Sequence, residues 1–191
     1  MRLFVGVELE GPVAERAASA ALALKQRMAE AAPRFVARWV PLANLHITLW
    51  FIGEVPEPRG EAIVEALRPR LDMPAFRLVL RGCGAFPPSG APRVLWIGAD
   101  AGADAMRDLY ARIGARLTPL GVPAEGRPYS PHLTIARVKD PGPVAPRVLR
   151  QTIASIEADC GETAVTAATL FRSRLSPHGP AYEPLLRVPL S

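Results

Sequence analysis

Apolar and polar positions along the chain follow two periods, one typical of strands and one typical of helices. Residues 2–9 form a short run rich in Val, Leu and Phe, which predicts a buried strand. Residues 11–32 follow, with strong helix formers between Pro12 and Pro33, and predict a long helix. The same reasoning predicts a turn and a strand within 38–55, strands at 76–86, 93–100 and 163–175, and helices at 58–71 and 145–156. Residues 101–122 are predicted to form a helix followed by a glycine turn, 127–138 is the counterpart of the first histidine segment, and 181–190 closes the chain.

The order strand, helix, histidine-bearing strand, helix, strand occurs twice. His132 lies 86 positions after His46, and the first strand of the second set follows that of the first by 91 positions. This near-constant offset indicates an internal repeat, although the two sets share little identity outside the histidine segments. We therefore predict a single α+β domain built from two similar halves, residues 1–92 and 93–191, that face each other across a cleft.

Length and composition set the class of protein. The chain has 191 residues, of which 49% are hydrophobic and 21% charged, as expected for a globular domain with a substantial core. The opening MRLFVGVELE holds too short an apolar run for a secretory signal, and no apolar run approaches the roughly 18 residues of a membrane span. We expect a soluble, cytoplasmic, monomeric protein that does not bind membranes.

The charge of the chain favours a polyanionic partner only slightly. The net charge is +5, and nearly all of the positive charge is arginine, since Lys25 and Lys139 are the only lysines. The planar guanidinium group suits phosphate oxygens, which is compatible with nucleic acid binding. Arginine with abundant alanine and proline is also what a GC-rich coding sequence produces, so charge alone does not identify the partner.

A short histidine frame is repeated in the two halves. The chain has three histidines, and two of them begin the segments HITL (residues 46–49) and HLTI (residues 132–135). Side chains alternate between the faces of a strand, so each frame presents one imidazole and one hydroxyl on one face and two apolar side chains on the other. The candidate site residues are His46, Thr48, His132 and Thr134.

Two imidazoles and two hydroxyls facing one volume are suited to phosphoester cleavage without a metal. One imidazole can accept a proton from water while the other donates one to the leaving oxygen, and the hydroxyls can stabilise the charge that grows on the phosphate oxygens. Acyl transfer fits less well, because no Ser or Cys nucleophile stands in a recognisable setting. A zinc site also lacks ligands, because no Cys or carboxylate lies at ligand spacing beside either histidine, and Cys83 and Cys160 are interpreted as buried thiols.

One position differs between the two frames. Arg137 stands five residues after His132, where Phe51 stands five residues after His46. Strict alternation would direct the arginine away from the histidine face, which favours a surface residue, whereas a bulge could bring it over a bound phosphate. The third histidine, His178, lies outside either frame and is assigned no role.

The two frames and their surroundings resemble a known family. The segments RWVPLANLHITLWFIGEV, RPYSPHLTIAR, LRGCGAFP, PRVLWIG and FRSRLSP are together similar to the two-histidine (2H) phosphoesterase superfamily, and most similar to the bacterial and archaeal RNA 2′,3′-cyclic phosphodiesterases, also called 2′-5′ RNA ligases. The resemblance covers essentially the whole chain. It implies a bilobed, pseudo-symmetric α+β fold, with two antiparallel sheets flanking a central cleft and helices outside.

The same resemblance implies a reaction and a role for each site residue. The reaction is hydrolysis of an RNA-terminal 2′,3′-cyclic phosphate, or of a cyclic nucleotide, to a 2′-phosphomonoester without metal or cofactor. His46 would protonate the leaving O3′, and His132 would activate water. Thr48, Thr134 and Arg137 would bind the phosphate, which reverses the preference for a surface arginine. Because a 5′-hydroxyl can replace water, reversible 2′-5′ ligation is also expected.

Binding of the rest of the RNA is less evident from the sequence. Tyr129 and Trp50 are candidate substrate contacts, because unpaired bases stack on aromatic rings, but either could equally belong to the core. Two alternatives to the cyclic phosphodiesterase remain. The chain could be a non-catalytic module that binds RNA ends, or a 2H relative that acts on small cyclic phosphates or on 2′-5′ oligoadenylate.

Overall fold

The computed structural model describes residues 1–176 and 179–191, and within them nine strands alternate with four α-helices. The elements are β1 (Arg2–Glu8), α1 (Gly11–Ala31), β2 (Val36–Trp39), β3 (His46–Glu54), α2 (Glu57–Leu67), β4 (Phe76–Phe86), β5 (Val94–Ala99), α3 (Ala103–Leu117), β6 (His132–Asp140), α4 (Pro146–Ala154), β7 (Asp159–Val165), β8 (Ala167–Ser176) and β9 (Gly179–Pro189). His178 lies outside the described residues.

The strands form two antiparallel groups that meet at the two histidine strands. The order is β7-β4-β5-β6-β3-β1-β8-β9, and β2 pairs with the free side of β6. At the centre, β3 and β6 share a single paired position, Ile47 opposite Leu133. We call β3, β1, β8 and β9 the first lobe, and β6, β5, β4, β7 and β2 the second lobe. The predicted α+β class with antiparallel sheets is confirmed.

Helices cover the outer face of each lobe. On α1, the buried residues recur every three or four positions, so they form one stripe that packs toward the second lobe; they are Val13, Ala17, Ala21, Leu24 and Met28. Helix α4 contacts β4 of the same lobe, while α3 contacts β3 and α2 contacts β9 of the first lobe. The faces of the two lobes that the helices do not cover border the cleft.

The sheet interleaves the two sequence halves. Strand β4 comes from the first half, yet it pairs with β5 and β7 of the second. Strand β8 comes from the second half, yet it pairs with β1 of the first. Each lobe therefore contains two strands from the other half, β8 and β9 in the first lobe and β2 and β4 in the second, so the lobes in space are not the two halves of the sequence.

Several element boundaries differ from the prediction. The helix predicted at 58–71 ends at Leu67, and the strand of the second histidine segment begins at His132. Residues 163–175 were expected to form one strand, but the chain passes from β7 to β8 at Thr166, because these strands lie in different lobes. Within 101–122, α3 ends at Leu117 and a 3₁₀ turn, Thr118–Leu120, leads to Gly121, in agreement with the predicted helix and glycine turn. Pro119 lies in this turn, and proline cannot donate a helical hydrogen bond.

Candidate functional site

The two histidine frames have the expected alternation. On β3, His46 and Thr48 are partly exposed while Ile47 and Leu49 are buried. On β6, Leu133 and Ile135 are buried in the same way behind His132 and Thr134 (the four apolar side chains all belong to the core). Each frame is therefore held from behind by apolar packing, which fixes the face on which its imidazole and hydroxyl lie.

The pairing of β3 with β6 brings the frames together. Ile47 and Leu133 are the only paired position of these antiparallel strands, so the residues that flank the pair are His46 and Thr48 on β3, and His132 and Thr134 on β6. The two histidines are then offset by two residues along the strands, roughly 7 Å. Imidazoles and hydroxyls from both frames thus flank one cross-strand pair, on the side of the sheet opposite the core.

A β-bulge follows each frame at the same place. On β3, Val5 is opposite Trp50 but Gly6 is opposite Thr48, so the intervening Leu49 is unpaired. On β6, Ile135 is unpaired in the same way, between the residues opposite Leu95 and Trp96. A bulge inserts one residue and reverses the subsequent alternation. The residue two places beyond each bulge therefore returns to the histidine face.

That residue is Arg137 in the second frame and Phe51 in the first. Arg137 is opposite Val94 of β5, two residues from Trp96, so it shares a face with Thr134. Its charge also lowers the pKa of both His46 and His132. The bulge that was needed to bring this arginine to the site is present.

Trp50 is in the core and is not positioned to bind substrate. Its indole is 5% exposed and stacks on Tyr110 of α3, with ring centroids 4.6 Å apart. A methyl group at Gly114 would lie 2.5 Å from the indole ring, so this glycine provides the space for it. Strict alternation predicts the same face for Trp50 as for His46, and the bulge at Leu49 reverses that assignment.

Tyr129 lies beside the site, with its hydroxyl already bound. Its ring stacks on Tyr110 at 4.4 Å between centroids, and its hydroxyl donates a hydrogen bond of 3.1 Å to the carbonyl of Thr48. Burial raises the pKa of the Tyr129 phenol well above its usual range, so it stays protonated as a donor. The contact attaches the segment that precedes His132 to β3.

Both imidazoles are oriented by the backbone two residues before them. Nδ1 of His46 is 2.8 Å from the carbonyl oxygen of Asn44, and Nδ1 of His132 is 2.7 Å from that of Ser130. A carbonyl can only accept, so each Nδ1 carries a hydrogen, and Nε2 is the nitrogen at which protons can be exchanged. Nε2 of His46 is 3.1 Å from Oγ1 of Thr48. No sequence pattern indicated these carbonyls, because any residue type supplies one.

The pKa values of both imidazoles are lowered, first by burial. The carbonyl bonds to Asn44 and Ser130 oppose that shift, and Arg137 adds to it. Glu125 raises the pKa of His132 in addition. In the free protein both rings are therefore mostly neutral at pH 7, and a bound anion would favour the protonated forms.

The surroundings of the two rings differ. His46 is packed among aromatic rings, with centroid distances of 4.7 Å to Phe4 and 5.1 Å to Tyr182. A methyl group at Gly6 would lie 3.2 Å from its Cδ2, so the backbone of β1 also comes close. His132 instead contacts Phe86 edge-on at 5.0 Å and lines a cavity of about 430 Å³. A larger cavity, about 510 Å³, lies between α4 and residues 88–90, and no candidate site residue lines it.

The described part of the chain has neither a metal-binding cluster nor a membrane-spanning helix. Across residues 1–176 and 179–191, no group of three or more His, Cys, Asp or Glu side chains is arranged to hold a metal ion. Burial raises the pKa of the Cys83 thiol to about 11, so this cysteine is a poor nucleophile. In the same part of the chain, no helix combines the length and the apolar character needed to cross a membrane.

Comparison with known sequences identifies related proteins. The family model described as the 2′-5′ RNA ligase superfamily matches residues 13–175. An RNA 2′,3′-cyclic phosphodiesterase of Aeropyrum pernix is 38% identical over 147 residues, which cover 76% of this chain and 81% of the relative. One of Thermotoga maritima is 32% identical over 186 residues, which cover 97% and 93%.

Comparison with solved structures gives the same family. A Thermus thermophilus protein matches with a TM-score of 0.72 and 33% identity, over 99% of this chain and 97% of its own. LigT of E. coli, crystallised with 3′-AMP, matches with a TM-score of 0.74 and 26% identity, over 100% and 98%. With the sequence match over residues 13–175, these similarities show that the chain belongs to the 2′-5′ RNA ligase superfamily.

Proposed function

We propose that this protein is an RNA 2′,3′-cyclic phosphodiesterase that opens the terminal cyclic phosphate to a 2′-phosphomonoester. The observation that carries the proposal is the pairing of Ile47 with Leu133, which joins the two strands that bear the histidine–threonine frames. The relatives from A. pernix and T. maritima are named for this activity. The similar E. coli protein was crystallised with 3′-AMP and with phosphate, so ligands of this chemical class bind a related fold.

The reaction needs one proton acceptor and one proton donor on opposite sides of the phosphorus. Nε2 of His132 accepts a proton from water as the water oxygen forms its bond to phosphorus. The P–O3′ bond breaks, and Nε2 of a protonated His46 donates its proton to O3′. The proton lost by one imidazole is matched by the one gained by the other, and exchange with solvent restores both.

The surroundings of the rings support this division of roles. His132 borders an open cavity from which water can approach, whereas His46 is enclosed by Phe4, Phe171 and Tyr182. An enclosed imidazole is protected from solvent and suited to deliver its proton to a specific oxygen. The negative phosphate would raise the pKa of His46 from its lowered value in the free protein, so the acid is charged when substrate is bound.

The remaining site residues stabilise the phosphate. The hydroxyls of Thr48 and Thr134 donate hydrogen bonds to the non-bridging oxygens, whose charge grows in the transition state. The guanidinium of Arg137 adds a charge-assisted contact. These groups replace the role that a metal has in other phosphodiesterases, so we propose metal-independent catalysis by a monomer. Replacement of water by an RNA 5′-hydroxyl would give 2′-5′ ligation, with hydrolysis dominant in bulk water.

Product analysis tests the proposal. RNA that ends in a 2′,3′-cyclic phosphate is incubated with the protein in the presence of EDTA, and the terminal phosphate is identified by chromatography against 2′- and 3′-phosphate standards. We expect the 2′-phosphate and no loss of rate with EDTA. A 3′-phosphate would contradict proton delivery to O3′, and activity that EDTA abolishes and zinc restores would establish a metal mechanism.

The same assay separates the two alternatives. Binding of the RNA without turnover would identify a binding module. Faster cleavage of 2′-5′ oligoadenylate or of a small cyclic phosphate than of the RNA end would identify a 2H enzyme with a different substrate. The variant His46→Ala serves as the control for contaminating nucleases.

A further inference from the structure

The indole of Trp96 occupies the cleft side of β5, next to the catalytic pair. Trp96 is opposite Thr134 on β6 and opposite Gly84 on β4. A methyl group at Gly84 would lie 2.2 Å from Cη2 of the indole, and one at Gly98 would lie 3.2 Å from Cζ3. The indole therefore packs directly on the backbone of these two glycines, which have no side chains. The ring of Phe86 lies beside it, with 5.3 Å between the ring centroids.

This ring forms one side of the cavity beside His132. The cavity has a volume of about 430 Å³, within the usual range for small-ligand sites. Trp96, Gly98, Cys83, Ser130 and His132 are among its lining residues. A group bound there would contact an aromatic surface and at the same time be adjacent to the reacting phosphate.

The charges at the rim favour a neutral occupant. Arg81 lines the cavity, but its guanidinium is 3.7 Å from the carboxylate of Asp100 and 3.1 Å from that of Asp159. The positive charge is thus already balanced by two carboxylates. A second phosphate would gain little here, whereas a flat uncharged ring would gain stacking on the indole.

The first lobe presents a different aromatic surface: Phe51 lies on the histidine face there and is 47% exposed, but the guanidinium of Arg2 lies over its ring, 5.4 Å from the centroid. The position equivalent to Trp96 is Gly6, which is opposite Thr48 as Trp96 is opposite Thr134. There the rings of Phe4 and Phe171 stack on each other at 5.0 Å and pack around His46. The two lobes therefore present different aromatic surfaces to a planar group, and only that of Trp96 borders the cavity beside His132.

We propose that Trp96 and this cavity form the stacking subsite for the nucleobase of the nucleotide that carries the cyclic phosphate. The inference rests on the proposed function, because it takes the reacting phosphate to be bound between the two histidines. Stacking tolerates any base, since each has a π face, so the subsite would hold the terminal nucleotide without selecting among the four bases.

Kinetics with and without a base test the subsite. Adenosine 2′,3′-cyclic phosphate is compared with methyl ribofuranoside 2′,3′-cyclic phosphate, which has the same reacting group and no base. The variant Trp96→Ala should raise the KM for the adenosine substrate by roughly 5- to 150-fold, the effect of losing one stacked base, with little change in kcat. Its kinetics with the base-free substrate should match those of the unmodified protein, and Trp96→Phe should recover most of the loss.

Equal losses with both substrates would show that Trp96 only supports the fold, and no loss with adenosine would show that the base binds elsewhere. Gly84→Ala is a second variant, since its methyl group would displace the indole without removing it. It should also raise the KM for adenosine selectively.

Fluorescence separates failure of the subsite from failure of the proposed function. The chain has three tryptophans, at positions 39, 50 and 96. Titration with 2′-AMP, which needs no turnover, should quench tryptophan emission in the unmodified protein and in Trp39→Phe, but not in Trp96→Phe. Quenching that survives Trp96→Phe would overturn the subsite, whatever the protein hydrolyses. Quenching as expected, without hydrolysis of either cyclic phosphate, would leave the subsite established and reject the proposed reaction.

Discussion

The histidine strands of the two lobes share one backbone design but have different surroundings. Both frames pair with the first strand of their own half, and in both the fourth residue of the frame is the unpaired residue of a bulge. Both histidines donate Nδ1–H to the backbone carbonyl two residues before them. The differences are in the side chains. Phe51 stands where the other frame has Arg137, and aromatic rings enclose His46 where a cavity borders His132.

This comparison shows how a symmetric scaffold can perform an asymmetric reaction. The repeated backbone brings the two histidine strands together at Ile47 and Leu133, and the proposed reaction needs one acid and one base. Attack by water and departure of a ribose oxygen are different events, however, and they require different access to solvent. The predictions below separate the part of the site that the repeat provides from the part in which the lobes differ.

The largest effect is expected from removing either histidine. His46→Ala and His132→Ala should each lower kcat by roughly 10²- to 10⁴-fold, the usual contribution of a positioned acid or base. The pH dependence of kcat/KM should distinguish them, because loss of the base removes the acidic limb of the bell and loss of the acid removes the alkaline limb. Loss of the same limb in both variants would contradict the assignment of separate roles.

Removing the charge by which the second frame differs from the first should have the next largest effect on activity. Arg137→Leu removes a hydrogen bond to a charged group, so kcat/KM should fall roughly 10- to 150-fold. It also removes a positive charge that disfavours protonation, so the pKa of His46 and that of His132 should both rise in NMR titrations. The matched variant Phe51→Leu should leave both pKa values unchanged. A pKa change at only one histidine would show that Arg137 does not lie between them.

The two threonines test whether the hydroxyls are equivalent. Thr48→Val and Thr134→Val preserve size and remove one hydrogen-bond donor each, so kcat should fall about 2- to 12-fold in each variant. Circular dichroism provides the control for folding. A loss in one variant alone would mean that only one frame contacts the phosphate.

Tyr129→Phe tests the link between the lobes. The ring still stacks on Tyr110, but the hydrogen bond to the Thr48 carbonyl is lost, which should lower the free energy of unfolding by about 1 kcal/mol. Urea denaturation measures this change. Unchanged stability with a raised KM would instead make Tyr129 a substrate contact.

The smallest effect expected is on stability against pH. The pKa of each imidazole is lower in the folded protein than its ordinary value near 6.5, so the unfolded chain binds more protons below that value. The contribution of these two imidazoles to the free energy of unfolding should therefore be constant above about pH 7 and decrease as the pH falls through 6.5. The double variant His46→Gln/His132→Gln should lack this part of the decrease, and an identical pH dependence in both proteins would contradict the lowered pKa values.

Much of the fold follows from local patterns. Helix α1 was predicted at 11–32 and lies at Gly11–Ala31, because prolines and a continuous series of helix formers mark its limits. Strand β4 has the predicted bounds, 76–86. Residues 163–175 were less well predicted, because the chain passes from one lobe to the other at Thr166. This passage depends on which strands β7 and β8 pair with, and it produces no change in the local pattern of apolar and polar residues.

The two residues that follow the bulges show the same limit within the site. Strict alternation placed Trp50 with His46 and directed Arg137 away from His132, and both assignments are reversed by one unpaired residue. A bulge depends on the register of the neighbouring strand, so a single strand's sequence cannot place it. The resemblance to a family predicts that Arg137 binds the phosphate, and the bulge leaves its side chain on the same face of β6 as Thr134.

By itself, the sequence determined the elements, the repeated frames and the face on which each imidazole and hydroxyl lies. These properties depend on side-chain alternation and helix periodicity over a few residues. Only the tertiary structure decided which strands pair, which residues the bulges reverse, and which histidine borders a cavity. Those properties depend on contacts between residues far apart in the chain, such as Ile47 with Leu133 and Trp96 with Gly84.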